Sequence, residues 1–90
     1  MSVSPELEIV DYLAGSDESL DVLLHACPDV RRLVGCIAHM FEAGRIWIRI
    51  DERPARAFEV QAWLRTPPDA DARRRIVVGL AQRGGGEIAR

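Results

Sequence analysis

The sequence predicts a small α+β domain in which helices fill the first half of the chain and a β-hairpin follows. Apolar residues recur at intervals of three and four up to Gly44, the spacing of helices that bury one face. Directly afterwards, every second residue of 45–51 is an isoleucine, as in a half-buried strand that buries one face. At 90 residues, the whole chain (1–90) is expected to be one domain with its core at 5–64.

The first helix is predicted at residues 5–14. Ser4 can cap its first turn, and Pro5 stands at the first position, where helices accept proline. Gly15 ends the pattern. The apolar residues that repeat at helical spacing are Leu7, Val10 and Leu13.

Two further helices are predicted before the hairpin. A short second helix is expected at 19–26, because leucines form an apolar stripe there and Pro28 forbids continuation. The third helix is expected at 30–43, with Asp29 as its N-cap and Gly44 at its end. Its apolar face consists of Val30, Leu33, Val34, Ile37, Met40 and Phe41.

The hairpin is predicted to pair the strand at 45–51 with a second strand at 57–64. A helix is possible over 57–64, but its alternation favours a strand. A register with the isoleucines opposite Val60 and its neighbours keeps polar side chains out of the core. The same register places Trp47 and Trp63 together on the outer face.

A last helix is predicted at 67–83. Thr66 and the prolines after it resemble a helix start, and Gly84 would end the helix. The β-branched run at 76–78 leaves a short strand as the alternative. The tail, residues 84–90, is expected to fray.

The composition excludes several classes of protein. Hydrophobic residues make up 48% of the chain and charged residues 29%, which is typical of a globular domain. No apolar run approaches the roughly 20 residues that span a bilayer, and the first residues lack the basic start of a signal peptide. We therefore expect a cytoplasmic protein with reduced cysteines. Since no catalytic motif or phosphate-binding glycine loop is present, we expect neither an enzyme nor a cofactor.

The charge is distributed unevenly along the chain. Residues 1–44 carry eight acids and two arginines, a net charge of −6, whereas residues 45–90 carry six acids and ten arginines, a net charge of +4. An anionic partner is therefore expected to prefer the second half. The total of −2 counts against strong DNA binding, since nucleic-acid-binding domains usually carry a basic excess.

The order of three helices and a hairpin resembles a winged helix-turn-helix domain over residues 5–64. The resemblance is carried by the leucines of the second helix, the Pro28–Asp29 turn, the apolar face of the third helix and the segment FEAGRIWI at 41–48. It implies an α+β fold with a two-stranded wing, here followed by a C-terminal helix. It also implies a DNA-binding transcriptional regulator.

In this family the third helix lies in the major groove, and the wing touches the phosphates or the minor groove. Arginines at the start of the helix would fork guanine or hold phosphate. The residues expected to contact DNA are Arg31, Arg32, His39, Arg49, Arg53 and Arg56. The alternative is an adaptor of the same fold that binds a protein and no DNA, because the first half is acidic and the third helix offers few polar side chains.

The two cysteines and two histidines of the chain all lie within residues 25–39. They form a possible zinc-ligand set, His25, Cys27, Cys36 and His39. The spacings differ from those of a standard zinc finger. We therefore expect no metal, and interpret the cysteines as small buried hydrophobes and the histidines as surface residues.

The outer face of the predicted hairpin is a second candidate site. Two exposed tryptophans on one small face would mark a contact, because large apolar surface patches usually do. We expect both rings to be at least half shielded, either by the last helix or by a second copy in a homodimer. The expected interaction face consists of Trp47, Trp63, Ile76, Val77 and Leu80.

Overall fold

The computed structural model describes residues 5–81 as an α+β fold in which helices pack on a four-stranded antiparallel sheet. The helices are α1 (Pro5–Gly15), α2 (Val30–Glu42), α3 (Ala57–Trp63) and α4 (Ala70–Arg75). The strands are β1 (Glu18–Ser19), β2 (Ile46–Ile50), β3 (Arg53–Pro54) and β4 (Ile76–Leu80), and a 3₁₀ turn, Val22–His25, precedes α2. No helix within residues 5–81 is both long and apolar enough to cross a membrane.

The strand order of the sheet is β1-β4-β2-β3, and neighbouring strands are antiparallel. In the central pair, Ile48 of β2 lies opposite Val78 of β4, and Trp47 lies opposite Gly79. β1 and β3 contribute two residues each at the two edges, and such short strands expose little unpaired backbone. The last described strand therefore completes the sheet at its centre.

The hydrophobic core lies between the sheet and the helices. Side chains of a strand alternate between the two faces, and the helices cover one of them. α1 packs on β4, α2 packs on β2, and α3 packs on α2, so the helix layer runs α1, α2, α3 across the sheet. The largest fully buried side chains come from both layers: Ile9, Leu13, Leu20, Leu23, Leu33, Val34, Ile37, Met40, Val60 and Val78.

The first and third predicted helices and the first predicted strand are confirmed as α1, α2 and β2. Asp29 caps α2 as expected, because its Oδ1 accepts the backbone N–H groups of Arg31 at 3.0 Å and Arg32 at 3.4 Å. Gly44 follows the helix with a φ of 74°, a conformation that glycine adopts without strain.

The second predicted helix, 19–26, is wrong over most of its length. Its first residue belongs to β1, which pairs with β4, and only Val22–His25 forms a 3₁₀ turn. The Ser19 hydroxyl accepts the backbone N–H of Val22 at 3.2 Å, which supports a turn rather than a longer helix. The leucine stripe still reaches the core, since Leu20 and Leu23 are fully buried.

The predicted second strand of the hairpin, 57–64, is also wrong, because this segment is α3. The Glu59 carboxylate accepts the backbone N–H of Arg56 at 2.9 Å and so satisfies a donor at the start of the helix. Val60 and Trp63, three residues apart, both pack against the core. The alternation fitted a strand equally well, but tertiary packing selected the helix.

β2 pairs instead with β4 and with the short strand β3, so the predicted register is replaced. The turn between β2 and β3 consists of Asp51 and Glu52, whose φ angles are 52° and 70°. Two consecutive positive φ angles are typical of the tight type I′ hairpin turn.

The predicted last helix, 67–83, is divided into α4 and β4. Asp69 rather than Thr66 caps α4, accepting a backbone N–H of its first turn at 2.9 Å. The β-branched run at 76–78 forms a strand, which was the alternative for this segment. The end of the predicted helix and the predicted tail, 84–90, lie outside the described residues.

Trp47 and Trp63 do not share a face, contrary to the prediction. Trp47 lies on the outer face of the sheet, away from the helices, and its indole ring covers Gly79. Trp63 lies on α3 and packs against the core. Both rings are more than half buried within one chain, as expected, but β4 shields Trp47 in place of a final helix.

Candidate functional site

The candidate site is the exposed face of α2, the central helix of the helix layer. The opposite face of α2 is buried through Leu33, Ile37 and Met40. The helical period therefore directs a different set of residues away from the sheet. This outward set consists of Arg31, Arg32, Gly35, His39 and Glu42.

The first turn of α2 carries the free positive charge of this face. Arg31 and Arg32 are exposed, and neither forms an ion pair with any residue of the described part of the chain. Their backbone N–H groups are held by Asp29, so the helix start is fixed while both guanidinium groups stay in solvent. Gly35 lies one turn further on, and apart from its two chain neighbours and the helix backbone no atom of residues 5–81 lies within 4 Å of the position that a Cβ would take there. The middle of the exposed face therefore has no protruding side chain.

The far end of the face lies against Glu6 of α1. His39 Nδ1 lies 2.8 Å from Glu6 Oε2, and Arg45 Nη1 lies 3.4 Å from Glu6 Oε1. Glu42, also at this end, accepts a hydrogen bond from Gln61 of α3 at 2.8 Å. The positive charge of the α2 face is therefore concentrated at its N-terminal end.

Arg49 lies on the outer face of the sheet, on the side away from α2. It alternates with the buried Ile48 along β2, and its guanidinium stands 4.6 Å from the centre of the Trp47 ring. A cation over an indole face is attracted by the ring quadrupole. The structure thus separates Arg49 from Arg31 and Arg32 by the thickness of the sheet and the helix layer.

Arg53 and Arg56 lie around the start of α3. Arg53 donates to both oxygens of Glu59, at 2.6 and 3.0 Å, and this hydrogen-bonded contact lowers the pKa of Glu59 to about 2. The Arg53 charge is therefore committed to an internal partner. Arg56 is exposed and forms no ion pair among residues 5–81.

The six residues predicted to contact DNA therefore fall into three groups. Arg31, Arg32 and His39 share the α2 face, Arg53 and Arg56 precede α3, and Arg49 lies on the opposite face of the sheet. The helical period of α2 was sufficient to predict that the first group shares a face. The position of the second group could not be predicted, because it depends on α3 being a helix.

The cysteines and histidines take different environments. Cys27 is buried in the core, Cys36 is half-buried on α2, and His25 and His39 are exposed. Burial is the main cause of the raised pKa of the Cys36 thiol, with a smaller contribution from Cys27. Within the described residues, no group of three or more histidine, cysteine or acidic side chains could hold a metal ion.

A shallow cavity of about 250 Å³ lies beside the start of α2. Arg32 borders it, so this side chain stands between the cavity and the exposed helix face. The lining residues are Pro5, Glu8, Ala26, Cys27, Pro28, Asp29 and Arg32.

The predicted interaction face is divided between the two sides of the sheet. Trp47 and Val77 lie on the outer side, whereas Ile76 and Leu80 point to the helices and pack in or against the core. Trp63 reaches the core from α3. These five residues therefore form no common surface.

Sequence reasoning missed an exposed aromatic side chain on α3. In the strand predicted at 57–64, Phe58 would share the core face with Val60, but its side chain is 67% exposed, while Val60 is buried. The signal was present, since Val60 and Trp63 stand at helical spacing and Phe58 falls on the other side of such a helix.

Comparison with models of protein families, with curated proteins and with solved structures found no match to this chain.

Proposed function

We propose that residues 5–81 form a winged-helix domain with an enlarged wing. The order α1, β1, 3₁₀ turn, α2, β2 and β4 follows the winged-helix order, with the 3₁₀ turn in place of the second helix and α2 in place of the third. β2 and β4 pair as the two wing strands, and β1 adds to them beside β4. The connection 51–75 is then the wing, which contains α3 and α4.

The proposed activity of this domain is the binding of double-stranded DNA by α2. The observation that carries the proposal is the pair Arg31 and Arg32, both exposed at the first turn of the central helix and free of ion pairs within residues 5–81. In helix-turn-helix proteins, the N-terminal residues of the recognition helix contact base edges. Arginine at this position can fork guanine O6 and N7 or hold a phosphate.

The shape of the α2 face supports this role. Gly35 leaves the middle of the face without a side chain, and its surroundings are open. A groove floor or a sugar–phosphate strand can therefore approach the helix backbone closely. Arg56, exposed at the start of α3, is the wing residue that we assign to phosphate contact.

The neighbouring acids set the expected strength of binding. Glu6 pairs with Arg45 and contacts His39, and Glu42 adds a negative charge at the same end of the helix. Few arginines therefore remain free to contact the DNA phosphates. We expect a modest affinity for DNA, which falls as the salt concentration is raised. Arg49, on the far side of the sheet, is not assigned to this contact.

Fluorescence anisotropy of a labelled duplex pool, titrated at low and at moderate salt, tests the proposal. The double variant Arg31→Ala/Arg32→Ala should weaken binding at both salt concentrations and reduce the salt slope by about 1 for each phosphate contact removed. Arg49→Ala is the matched control and should bind like the wild type. An absence of binding even at low salt, or an equal loss in the control, would contradict the proposal.

A second candidate function is that of an adaptor that binds another protein. The observation that favours it is the exposure of large apolar side chains on α1 and on α3, where Leu7 is 57% and Phe58 is 67% exposed. Co-purification with one specific protein, unchanged by nuclease treatment, would support this function. Loss of the partner on nuclease treatment would instead support the DNA-binding function, because the two proteins would then be joined through nucleic acid.

A further inference from the structure

The large hydrophobic side chains that residues 5–81 leave exposed divide between two helices. Leu7 is 57% and Tyr12 is 39% exposed on α1, whereas Phe58 on α3 is 67% and Leu64 at its C-terminal cap is 44% exposed. No other large hydrophobic side chain of the described range is exposed to this degree. Exposed apolar side chains mark a contact with another molecule where they form a contiguous patch.

The charged residues of α1 itself are all acidic. Glu8 and Asp11 lie between Leu7 and Tyr12 on the exposed face, in i, i+4 pairs with them. Residues 5–15 contain three acids and no base, and neither Glu8 nor Asp11 forms an ion pair with a described residue. We name Leu7, Glu8, Asp11 and Tyr12 the acidic patch.

The segment that contains α3 is mostly basic, although Glu42 of α2 accepts a hydrogen bond from Gln61 of this helix. Residues 53–65 contain three arginines and one acid, Glu59, which is already bound to Arg53. Arg56 and Arg65 precede and follow α3, both are exposed, and both lack an ion pair in the described part of the chain. We name Arg56, Phe58, Leu64 and Arg65 the basic patch.

The two patches lie on opposite sides of α2. α1 packs over β4 and α3 packs on the other side, beyond α2, which itself packs over β2. The acidic and basic patches of one chain are therefore held apart by α2, while their charges and apolar side chains are complementary. A contact between unlike surfaces of two identical chains is heterologous, and it repeats head to tail.

We propose that the acidic patch of one chain binds the basic patch of a second copy, and that this contact joins chains head to tail. The partner is the chain itself because each patch finds opposite charge and matching apolar side chains on the other. The contact uses Arg56, which the DNA-binding proposal assigns to phosphate, but it can be tested without nucleic acid.

Sedimentation equilibrium over a range of protein concentrations is the first test. The average mass should rise above the 10.0 kDa of one chain as concentration increases, without nucleic acid present. Added salt should lower that mass, since exposed charges are screened. A mass that stays at one chain at every concentration would overturn the proposal.

Two single variants give a sharper test. Leu7→Ser removes the apolar centre of the acidic patch, and Phe58→Ser removes that of the basic patch. Each variant alone should stay at the mass of one chain. A mixture should form a complex of two chains and grow no further, because each variant contributes one intact patch and the remaining patches are broken.

The mixture distinguishes head-to-tail contact from other modes of association. A mixture that remains at the mass of one chain, or a variant that associates as the wild type does, contradicts the proposal. Circular dichroism and the unfolding midpoint of each variant check the fold. If Phe58→Ser fails to fold, Arg65→Glu replaces it, since it sets an acid against the acidic patch, and it should lower the average mass in the same way.

Discussion

The two faces of β2 are stabilised by different contacts, although both arise from the same alternating sequence. The inner face presents Ile46 and Ile48, which are buried beneath the helices. The outer face presents Trp47, whose ring lies against Gly79, and the exposed Arg49, whose guanidinium stands over that ring. The comparison indicates that the inner face stabilises the fold through buried apolar area. The outer face stabilises it through one close contact, between the Trp47 ring and Gly79.

The largest expected effect is on the inner face. Ile48 is 2% exposed and lies opposite Val78, so Ile48→Ala would leave a cavity in the core. We expect the free energy of unfolding to fall by about 2–5 kcal/mol, which a domain of this size barely tolerates. Urea unfolding measures the change.

Ile48→Val is the matched control for the inner face. It removes one methylene and should cost only about 0.5–1.5 kcal/mol. If Ile48→Ala unfolds as the wild type does, the assignment of the inner face is wrong.

The next effect is on the outer face, at Gly79. A Cβ added there would meet the Trp47 indole ring and would lie 2.6 Å from Asp17 Oδ1. Gly79→Ala therefore forces the ring to move, and we expect a loss of about 1–3 kcal/mol in the free energy of unfolding. Thermal unfolding followed by circular dichroism measures it.

Making Gly79→Ala in a Trp47→Ala variant separates two causes of the loss: the clash with the Trp47 ring and the change in backbone freedom at residue 79. Once the ring is absent, Asp17 Oδ1 still lies close to the added Cβ, but Gly79→Ala should cost less than it does in the wild type. An equal cost in both backgrounds would show that Trp47 does not limit this position.

A smaller effect is expected at the edge of the sheet, where Arg53 of β3 holds Glu59. The pKa of Glu59 is lowered from 4.5 to about 2, so the folded state favours its ionised form. The contribution of Glu59 to stability is therefore present above pH 4.5 and is lost as the pH falls toward 2. Urea unfolding across this range should show a steeper loss for the wild type than for Glu59→Gln, and identical slopes would contradict the assignment.

Local patterns explain which elements could be predicted. α2 carries its own cap at Asp29 and a long apolar stripe, and β2 alternates without interruption, so both follow from neighbouring residues. α3 forms because Val60 and Trp63 reach the core beside α2, which depends on residues far away in the chain. β4 pairs with both β1 and β2, and propensity could suggest its strand character but not its partners.

The same distinction holds for the candidate site. The helical period of α2 was sufficient to predict that Arg31 and Arg32 are exposed. The alternation of β2 already placed Arg49 opposite Ile48, but its separation from α2 required knowing which face the helices cover. The Arg53–Glu59 pair could not be predicted, because it depends on α3 being a helix.

The central claim is that the α2 face, and not the outer face of the sheet, binds DNA. An NMR titration of the labelled protein with a short duplex tests it most directly, since the backbone amides and the Trp47 indole report on the two faces in one experiment. We predict shifts that cluster at Arg31, Arg32 and Gly35 and grow smaller as salt is added, while the Trp47 indole signal stays in place. Shifts centred on Trp47 and Arg49, or no shifts at low salt, would contradict the account.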